Sequence, residues 1–148
     1  MIPADFLDDI SLLKRLYARR FAGLLAETGL TQAEMDVLLF LANNPPYDTA
    51  RDIVKRRGLA KSHVSAAVDS LVEKGLLART YREGNRKVVH LARLPASDGP
   101  VRQGQRLQSA FFDAVLEGLT KEERQLFESF LLRIHDHLKG SDLHAHAL

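Results

Sequence analysis

Apolar residues recur every three or four positions along most of the chain, which is the spacing of one face of an α-helix. Thr31 and Thr120 each stand three residues before a glutamate, the capping-box pattern that opens a helix. Thr49 is a further candidate cap, and Pro45-Pro46 ends the helix before it. The predicted helices cover residues 5–26, 31–43, 49–58, 61–75, 101–117 and 120–140.

The hydrophobic period changes to two over residues 77–91, where two short strands are predicted. The strands are Leu77–Arg82 and Lys87–Leu91, and Glu83-Gly84-Asn85 between them has the composition of a tight turn. Residues 95–100 are predicted to form a linker, and residues 141–148 a flexible tail. The sequence therefore predicts a mostly α-helical protein with one small β-hairpin.

The predicted helix over residues 61–75 has two unlike faces. Its inward positions are the apolar Val64, Val68, Leu71 and Val72. The opposite face has only small or hydrogen-bonding side chains, namely Ser62, His63, Ser65, Ala66, Asp69 and Ser70. A helix with such a slim face fits the major groove of B-DNA, which is about 12 Å wide.

The formal net charge of +2 conceals an uneven distribution. Residues 49–93 contain eleven basic and four acidic side chains and carry +7, whereas the rest of the chain, with ten basic and fifteen acidic side chains, carries −5. A basic middle flanked by acidic ends is typical of a nucleic-acid-binding segment within a larger fold. On charge alone, a solvated basic face without a partner is the alternative.

The overall composition narrows the class of protein further. With 148 residues, 45% of them hydrophobic, the chain is expected to form one globular domain over residues 1–148. The absence of Cys excludes disulfides, cysteine catalysis and thiolate metal sites. The longest apolar run, Val37–Ala42, is far shorter than the roughly 18 residues of a membrane span. The N-terminal residues have no features of a secretory signal, so a cytoplasmic protein without membrane contacts is expected.

The order of elements between residues 31 and 93 is that of a winged helix-turn-helix. In this interpretation the 61–75 helix enters the major groove of double-stranded DNA, and the basic hairpin tip reaches the adjacent minor groove. The alternative is a winged helix that binds only protein, which leaves the concentrated charge unexplained. Wide apolar stripes on the terminal helices, residues 5–26 and 101–139, predict a twofold homodimer.

Five segments carry a family resemblance in their order along the chain: Leu30–Glu34, Gly58–Ser65, Leu71–Leu77, the basic hairpin with Arg86, and Leu119–Glu123. With these segments the chain resembles regulators of the multiple-antibiotic-resistance (MarR) family over about residues 5–139. The resemblance implies a homodimer that binds an inverted-repeat operator, usually as a repressor, and that responds to a small-molecule effector. By position it assigns groove reading to Lys61, Ser62, His63, Ser65 and Ala66, and hairpin contacts to Arg82, Arg86 and Lys87.

Two positions depart from the family pattern. The acidic residue that usually precedes and orients the hairpin arginine is missing, so either Glu83 or Asn85 substitutes for it or the hairpin is looser. Ala60 stands where a serine often caps the helix, at a cost of about 1 kcal/mol, unless Ser62 is the true cap.

A metal-responsive regulator is a second alternative because the chain contains six histidines. His135 and His137 are two residues apart and therefore point to different faces of a helix. His144 and His146 lie in the predicted tail, and no Glu-x-x-His pattern accompanies them. The sequence therefore predicts no metal site and no cofactor.

An enzyme is not predicted, because the sequence has no phosphate-binding loop, nucleophile elbow or pair of catalytic carboxylates. Tyr17, Phe21 and Phe40 could line a cleft for an aromatic effector, but their helical spacing favours a place in the core. No effector-binding residue is therefore predicted.

Overall fold

The computed structural model describes residues 3–140. Its elements are α1 (Pro3–Thr28), α2 (Gln32–Asn43), α3 (Ala50–Arg57), α4 (Lys61–Glu73), β1 (Leu77–Arg82), β2 (Asn85–Arg93), a short 3-10 helix (Pro95–Ser97), α5 (Asp98–Val115) and α6 (Lys121–Gly140). The mostly α-helical fold with one antiparallel hairpin is confirmed. The predicted tail at residues 141–148, with His144 and His146, lies outside the described residues.

The helix starts that the threonines predict are confirmed at atomic detail. The Thr31 hydroxyl accepts a hydrogen bond from the Glu34 backbone N–H at 3.2 Å, and the Glu34 carboxylate accepts one from the Thr31 N–H at 3.1 Å. Thr49 and Asp52 form the same reciprocal pair at the start of α3. Gly58 ends α3 in the left-handed conformation that glycine adopts without strain.

The linker predicted at residues 95–100 is wrong, because this segment is helical. Pro95 opens the 3-10 helix, and α5 begins at Asp98 rather than at Val101. Pro100 lies in the first turn of α5, where a backbone N–H would have no partner within the helix, so proline is tolerated there. The buried Ser97 hydroxyl fixes the segment by donating to the Leu94 carbonyl at 2.8 Å.

The hairpin, residues 77–93, is longer than predicted and is called the wing below. Arg82 pairs with Asn85, so only Glu83 and Gly84 form the turn, and Asn85 belongs to β2. Gly84 has φ of +74°, a conformation that favours glycine. The next pair inward is Thr80 with His90, which leaves an irregular register near the tip.

The chain divides into two compact units with the boundary after Ser109. In the first unit α2 is central and packs against α1, α4 and β2. The largest fully buried side chains of this core include Phe21, Phe40, Met35, Leu38, Ile53 and Leu71. Phe21 and Phe40 are therefore core residues, as their helical spacing favours, and Tyr17 packs partly buried against them.

The second unit, from Ala110 onward, contains the end of α5 and all of α6. Thr120 and Glu123 form the predicted capping box of α6 at 3.2 and 2.8 Å. The Arg124 guanidinium donates to the Asp113 carboxylate and to the Leu116 carbonyl, which closes the turn between the two helices. Large apolar side chains of α6 remain exposed, among them Leu126, Phe130, Leu132, Ile134 and Leu138.

From Pro3 to Gly140, none of the helices combines the length and apolarity that crossing a bilayer would require.

Candidate nucleic-acid interface

The outer face of α4 is exposed, as its sequence pattern predicts. The five positions assigned to groove reading are all solvent-exposed: Lys61, Ser62, His63, Ser65 and Ala66. On the inner face Val64, Val68 and Leu71 are buried in the core, and so is Ala67, which the pattern did not include. Because the inner face packs on α2, the polar outer face is presented on a fixed support.

The start of α4 carries no side-chain cap. Ala60 is the N-cap residue, with φ of −64° and ψ of 136°, and no side chain accepts a hydrogen bond from the first turn. Ser62 lies inside the first turn, so the interpretation of Ser62 as the true cap is wrong. The first amides of α4 therefore keep their partial positive charge toward solvent, which suits an anion such as a phosphate.

The end of α4 is fastened to the start of α2 by an ion pair. The Nζ atom of Lys74, the C-cap of α4, lies 2.8 Å from the carboxylate of the buried Glu34 and 3.3 Å from the Gly29 carbonyl oxygen. Burial acts to raise the pKa of Glu34, but hydrogen bonds from Lys74, Ser70 and Thr31 outweigh it and hold the pKa below its usual value. The prediction that Ser70 lies on the exposed outer face is wrong, since Ser70 is half-buried and makes one of these hydrogen bonds.

The basic residues of the wing are also exposed. Arg82, Arg86 and Lys87 all face solvent around the Glu83-Gly84 turn. The Asn85 side-chain oxygen accepts a hydrogen bond from the Lys87 backbone N–H at 2.9 Å. Neither Glu83 nor Asn85 pairs with Arg86 in the part of the chain that the structure describes. The Arg86 guanidinium lies instead over the Tyr81 ring, 5.8 Å from its centroid.

Two polar contacts fasten the wing to the helices. The Arg79 side chain of β1 forms an ion pair with Asp69 of α4. His90 of β2 places its Nδ1 atom 2.7 Å from the Asp48 carboxylate, and the Leu91 N–H donates to the Asp48 carbonyl at 2.7 Å. No local pattern in the sequence indicates the contact of His90 with Asp48, because the two residues are 42 positions apart.

Helix α3 adds a basic group of its own. Lys55, Arg56 and Arg57 form its last turn and are exposed. The Arg56 guanidinium stacks on the Tyr47 ring at 3.8 Å, and the Arg57 guanidinium lies 5.3 Å from the Phe40 ring centroid. These contacts hold two of the cations against aromatic faces and leave their charge intact.

A cavity of about 210 Å³ lies between α2 and the first turn of α4. It is lined by Gln32, Ala33, Asp36, Val37, Leu59, His63 and Val64. Burial raises the pKa of Asp36, although a hydrogen bond from Gln32 and the charge of Arg57 act to lower it. His63 therefore borders this cavity and also belongs to the exposed face of α4.

Among residues 3–140, no three or more His, Cys, Asp or Glu side chains lie close enough together to hold a metal ion.

An exposed polar helix face, a basic hairpin and a helical core that supports both define a winged helix-turn-helix protein. Residues 28–87, which span α2, α3, α4, β1 and the wing turn, match the family model of the MarR family. Over this segment the chain is similar to the MarR family, and the match supports a winged-helix DNA-binding regulator of transcription.

Solved structures with the same fold match over most of the chain. The transcriptional regulator PA3341 is 25% identical, with a TM-score of 0.77, and the match covers 92% of this chain and 99% of that one. A MarR family regulator from Listeria monocytogenes in complex with a 26mer DNA has a TM-score of 0.78 at 17% identity, covering 89% and 87%. Bordetella bronchiseptica BpsR, whose DNA binding is regulated by 6-hydroxynicotinic acid, has a TM-score of 0.68 at 18% identity, covering 88% and 98%.

Proposed function

We propose that this regulator binds an inverted-repeat operator as a homodimer and acts as a ligand-responsive repressor. The observation that carries the proposal is the exposed polar face of α4, which lies with the exposed basic wing inside the segment of charge +7. In a twofold dimer, two such helices would enter successive major grooves about 34–36 Å apart. A complex with a 26mer DNA is formed by the Listeria relative, which supports this arrangement.

The side chains of α4 suit the chemistry of the major groove. Ser62, His63 and Ser65 can hydrogen-bond to phosphates or base edges, and Ala66 can pack on a thymine methyl group. Lys61 lies at the start of α4, where it would add a charge contact to a phosphate. The wing residues Arg82, Arg86 and Lys87 would lie in or beside the minor groove, whose negative potential attracts arginine.

Fluorescence anisotropy with labelled duplex DNA over a salt series tests the proposal. Each neutralised phosphate contributes a slope of about −0.9 in log K against log salt, so affinity should fall steeply and linearly on that plot. The duplexes should include the region upstream of the protein's own gene. Binding that is absent, or that does not depend on salt, would contradict the proposal and favour a winged helix that contacts only protein.

The wing contact is tested separately with Arg86→Ala. Loss of an arginine that contacts base edges should weaken binding by about 1–3 kcal/mol. Arg106→Ala is the matched control, because Arg106 is an exposed arginine of α5 outside the wing. Equal affinities for the two variants would remove the wing from the interface.

The cavity beside His63 is the proposed effector site. Its volume of about 210 Å³ exceeds the roughly 150 Å³ in which an engineered apolar cavity accepts benzene, so a single-ring compound fits. A ligand here would press on the first turn of α4, where His63 faces both the cavity and the groove-reading surface. The regulation of BpsR by 6-hydroxynicotinic acid supports a single-ring aromatic effector.

Isothermal titration with 6-hydroxynicotinic acid and other single-ring aromatic acids and amines tests this site. The cavity-filling variant Ala33→Phe should abolish any ligand effect on DNA affinity while leaving DNA binding in place. Ala22→Phe, at an exposed position of α1, is the control for the added ring. An effector response that survives in Ala33→Phe would place the ligand elsewhere.

A further inference from the structure

The tip of the wing has an unusual pairing pattern. Between the pairs Thr80–His90 and Arg82–Asn85, β1 contains one residue, Tyr81, while β2 contains four, residues 86–89. Tyr81 is 47% exposed although it is a large aromatic side chain, and its ring lies under the Arg86 guanidinium at 5.8 Å. Tyr81 does not belong to the buried core. Its contact with Arg86 accounts for an aromatic residue at this position.

We propose that Tyr81 is a positioning residue for Arg86 and holds its guanidinium in place for the minor groove. This inference rests on the proposed function of the wing. An arginine that is free in solution loses rotamer freedom when it binds, and a ring that already restricts it reduces that loss. A cation over an aromatic face is attracted by the ring quadrupole out to about 6 Å, so the observed separation is within reach.

The ring also differs from an acidic partner in its electrostatic effect. A carboxylate beside Arg86 would offset the positive charge and would itself be repelled by the phosphates that flank the groove. The Tyr81 side chain brings no carboxylate to the tip of the wing, so it leaves the full charge of Arg86 available. The contact therefore gives Arg86 a partner within the wing, although neither Glu83 nor Asn85 pairs with it within residues 3–140.

The inference is tested by anisotropy with an A-tract duplex of about 30 base pairs, whose narrow minor groove attracts arginine. The variants are Tyr81→Phe, Tyr81→Trp, Tyr81→Leu, Arg86→Ala and the double variant Tyr81→Leu/Arg86→Ala. We expect Phe and Trp to keep the affinity within twofold and Leu to weaken it about two- to fivefold, the range of an exposed cation–π contact. In the Arg86→Ala background, Tyr81→Leu should have no further effect, because the two side chains act as one unit.

Val88→Ala is the matched control, since Val88 is an exposed apolar residue of β2, the strand that carries Arg86. Circular dichroism establishes whether each variant is folded. If Tyr81→Leu does not fold, Tyr81→Phe and Tyr81→Trp still test the inference. A Phe variant as weak as the Leu variant would mean that the hydroxyl contacts DNA, and an undiminished Leu effect in the double variant would mean that Tyr81 acts alone. Either result overturns the inference.

Failure of the proposed function and failure of the inference about Tyr81 give different results in this experiment. If wild type does not bind the duplex at low salt, the DNA-binding role itself is contradicted. If Arg86→Ala binds as tightly as wild type, the wing contact is contradicted, and the positioning role falls with it. If Arg86→Ala weakens binding but Tyr81→Leu does not, only the inference about Tyr81 is overturned.

Discussion

At the scale of single residues, the pKa values of two carboxylates of α2 are shifted in opposite directions. Glu34 accepts hydrogen bonds from the Lys74 Nζ atom at 2.8 Å and from the Thr31 N–H at 3.1 Å, and its pKa is lowered although burial acts against this. Two residues later, burial raises the pKa of Asp36 despite a hydrogen bond from Gln32 at 2.9 Å. The charge on Glu34 therefore stabilises the fold, whereas the charge on Asp36 costs stability.

Replacing Glu34 by Gln should lower the free energy of unfolding by about 1–3 kcal/mol, because the charged hydrogen bond to Lys74 is lost. Gln keeps the length and the capping geometry of the side chain, so the helix start is retained. Glu27→Gln is the control, since Glu27 is an exposed glutamate of α1. Urea unfolding at neutral pH measures the difference, and equal midpoints for the two variants would contradict the role of the ion pair.

The same pair makes stability depend on pH in the acid range. Because the pKa of Glu34 is lower in the folded than in the unfolded state, its contribution is fully present above the unfolded value and is lost as pH falls through the folded value. Thermal unfolding of wild type should therefore lose stability below about pH 4.5 more steeply than Glu34→Gln does. Parallel curves for wild type and variant would exclude Glu34 as a source of the dependence.

Replacing Asp36 by Asn should have the opposite sign and raise stability at neutral pH. The folded-state pKa of Asp36 is raised, so the cost of its charge is absent below the unfolded value and appears as pH rises through the folded value. Asn removes that charge and can keep the hydrogen bond from Gln32 after a flip of its amide. Differential scanning calorimetry at pH 7 should show a higher Tm, and a lower Tm would mean that the attraction to Arg57 dominates.

At the scale of elements, the close packing of α5 on α2 depends on a glycine. A Cβ atom at Gly104 would lie 3.0 Å from a Leu39 methyl group and 3.2 Å from the Met35 sulfur, and both of those side chains are buried. Beside this contact, side chains join three helices: Gln108 donates to the Tyr17 hydroxyl at 2.8 Å and accepts from Asn43 at 3.0 Å. The distance between α5 and α2 is therefore set by residue size as well as by polar contacts.

Replacing Gly104 by Val should cost about 1–3 kcal/mol, because the added atoms overpack a filled contact. The matched control is Gly23→Val in the interior of α1, where an added Cβ meets nothing within 4 Å. Both glycines lie inside a helix and not at its end, so the change of helix propensity is similar and the difference in unfolding free energy reports on the contact. Equal stability of the two variants would mean that the close approach of α5 to α2 does not require a glycine at position 104.

At the scale of the whole molecule, exposed apolar faces point to a second copy of the chain. Helix α1 exposes Phe6, Leu7, Leu12 and Leu16, and α6 exposes a longer series that includes Leu132 at 64% and Ile134 at 54%. Faces of this extent are uncommon on a monomer and are buried when two copies pack around a twofold axis. The dimer proposed for operator binding would use these faces.

Sedimentation equilibrium at micromolar concentration should give twice the chain mass of 16.6 kDa. Replacing Ile134 by Lys should weaken association at least about tenfold, because a buried unpaired charge is costly at an interface. Arg133→Lys, at the neighbouring exposed position, keeps the charge and is the control. A monomer of wild type at this concentration would contradict the dimer and leave the apolar faces without a role.

Much of the fold could be predicted because its signals are local. Thr31 with Glu34, Thr49 with Asp52 and the apolar spacing of α4 act within one or two helical turns, so the sequence pattern contains them directly. The prediction of a linker at residues 95–100 is wrong because proline occurs both where a helix ends and in the first turn of a helix. The local sequence does not distinguish these two cases.

The exposed faces of the candidate site could be predicted in the same way, but their supports could not. Glu34 and Lys74 are 40 positions apart, and Asp48 and His90 are 42 apart. The contact of Tyr81 with Arg86 depends on an irregular strand register that the turn composition did not specify.

By itself, then, the sequence determined the order of the elements, their caps and the concentration of positive charge in one segment, since each follows from neighbours along the chain. The tertiary structure decided which partners fix those elements: the ion pair at the end of α4, the ring beneath the wing arginine and the glycine between α5 and α2. These contacts join residues that only the folded path brings together. The physical reason is that local hydrogen bonds select helix and turn, whereas burial and long-range packing select their mutual placement.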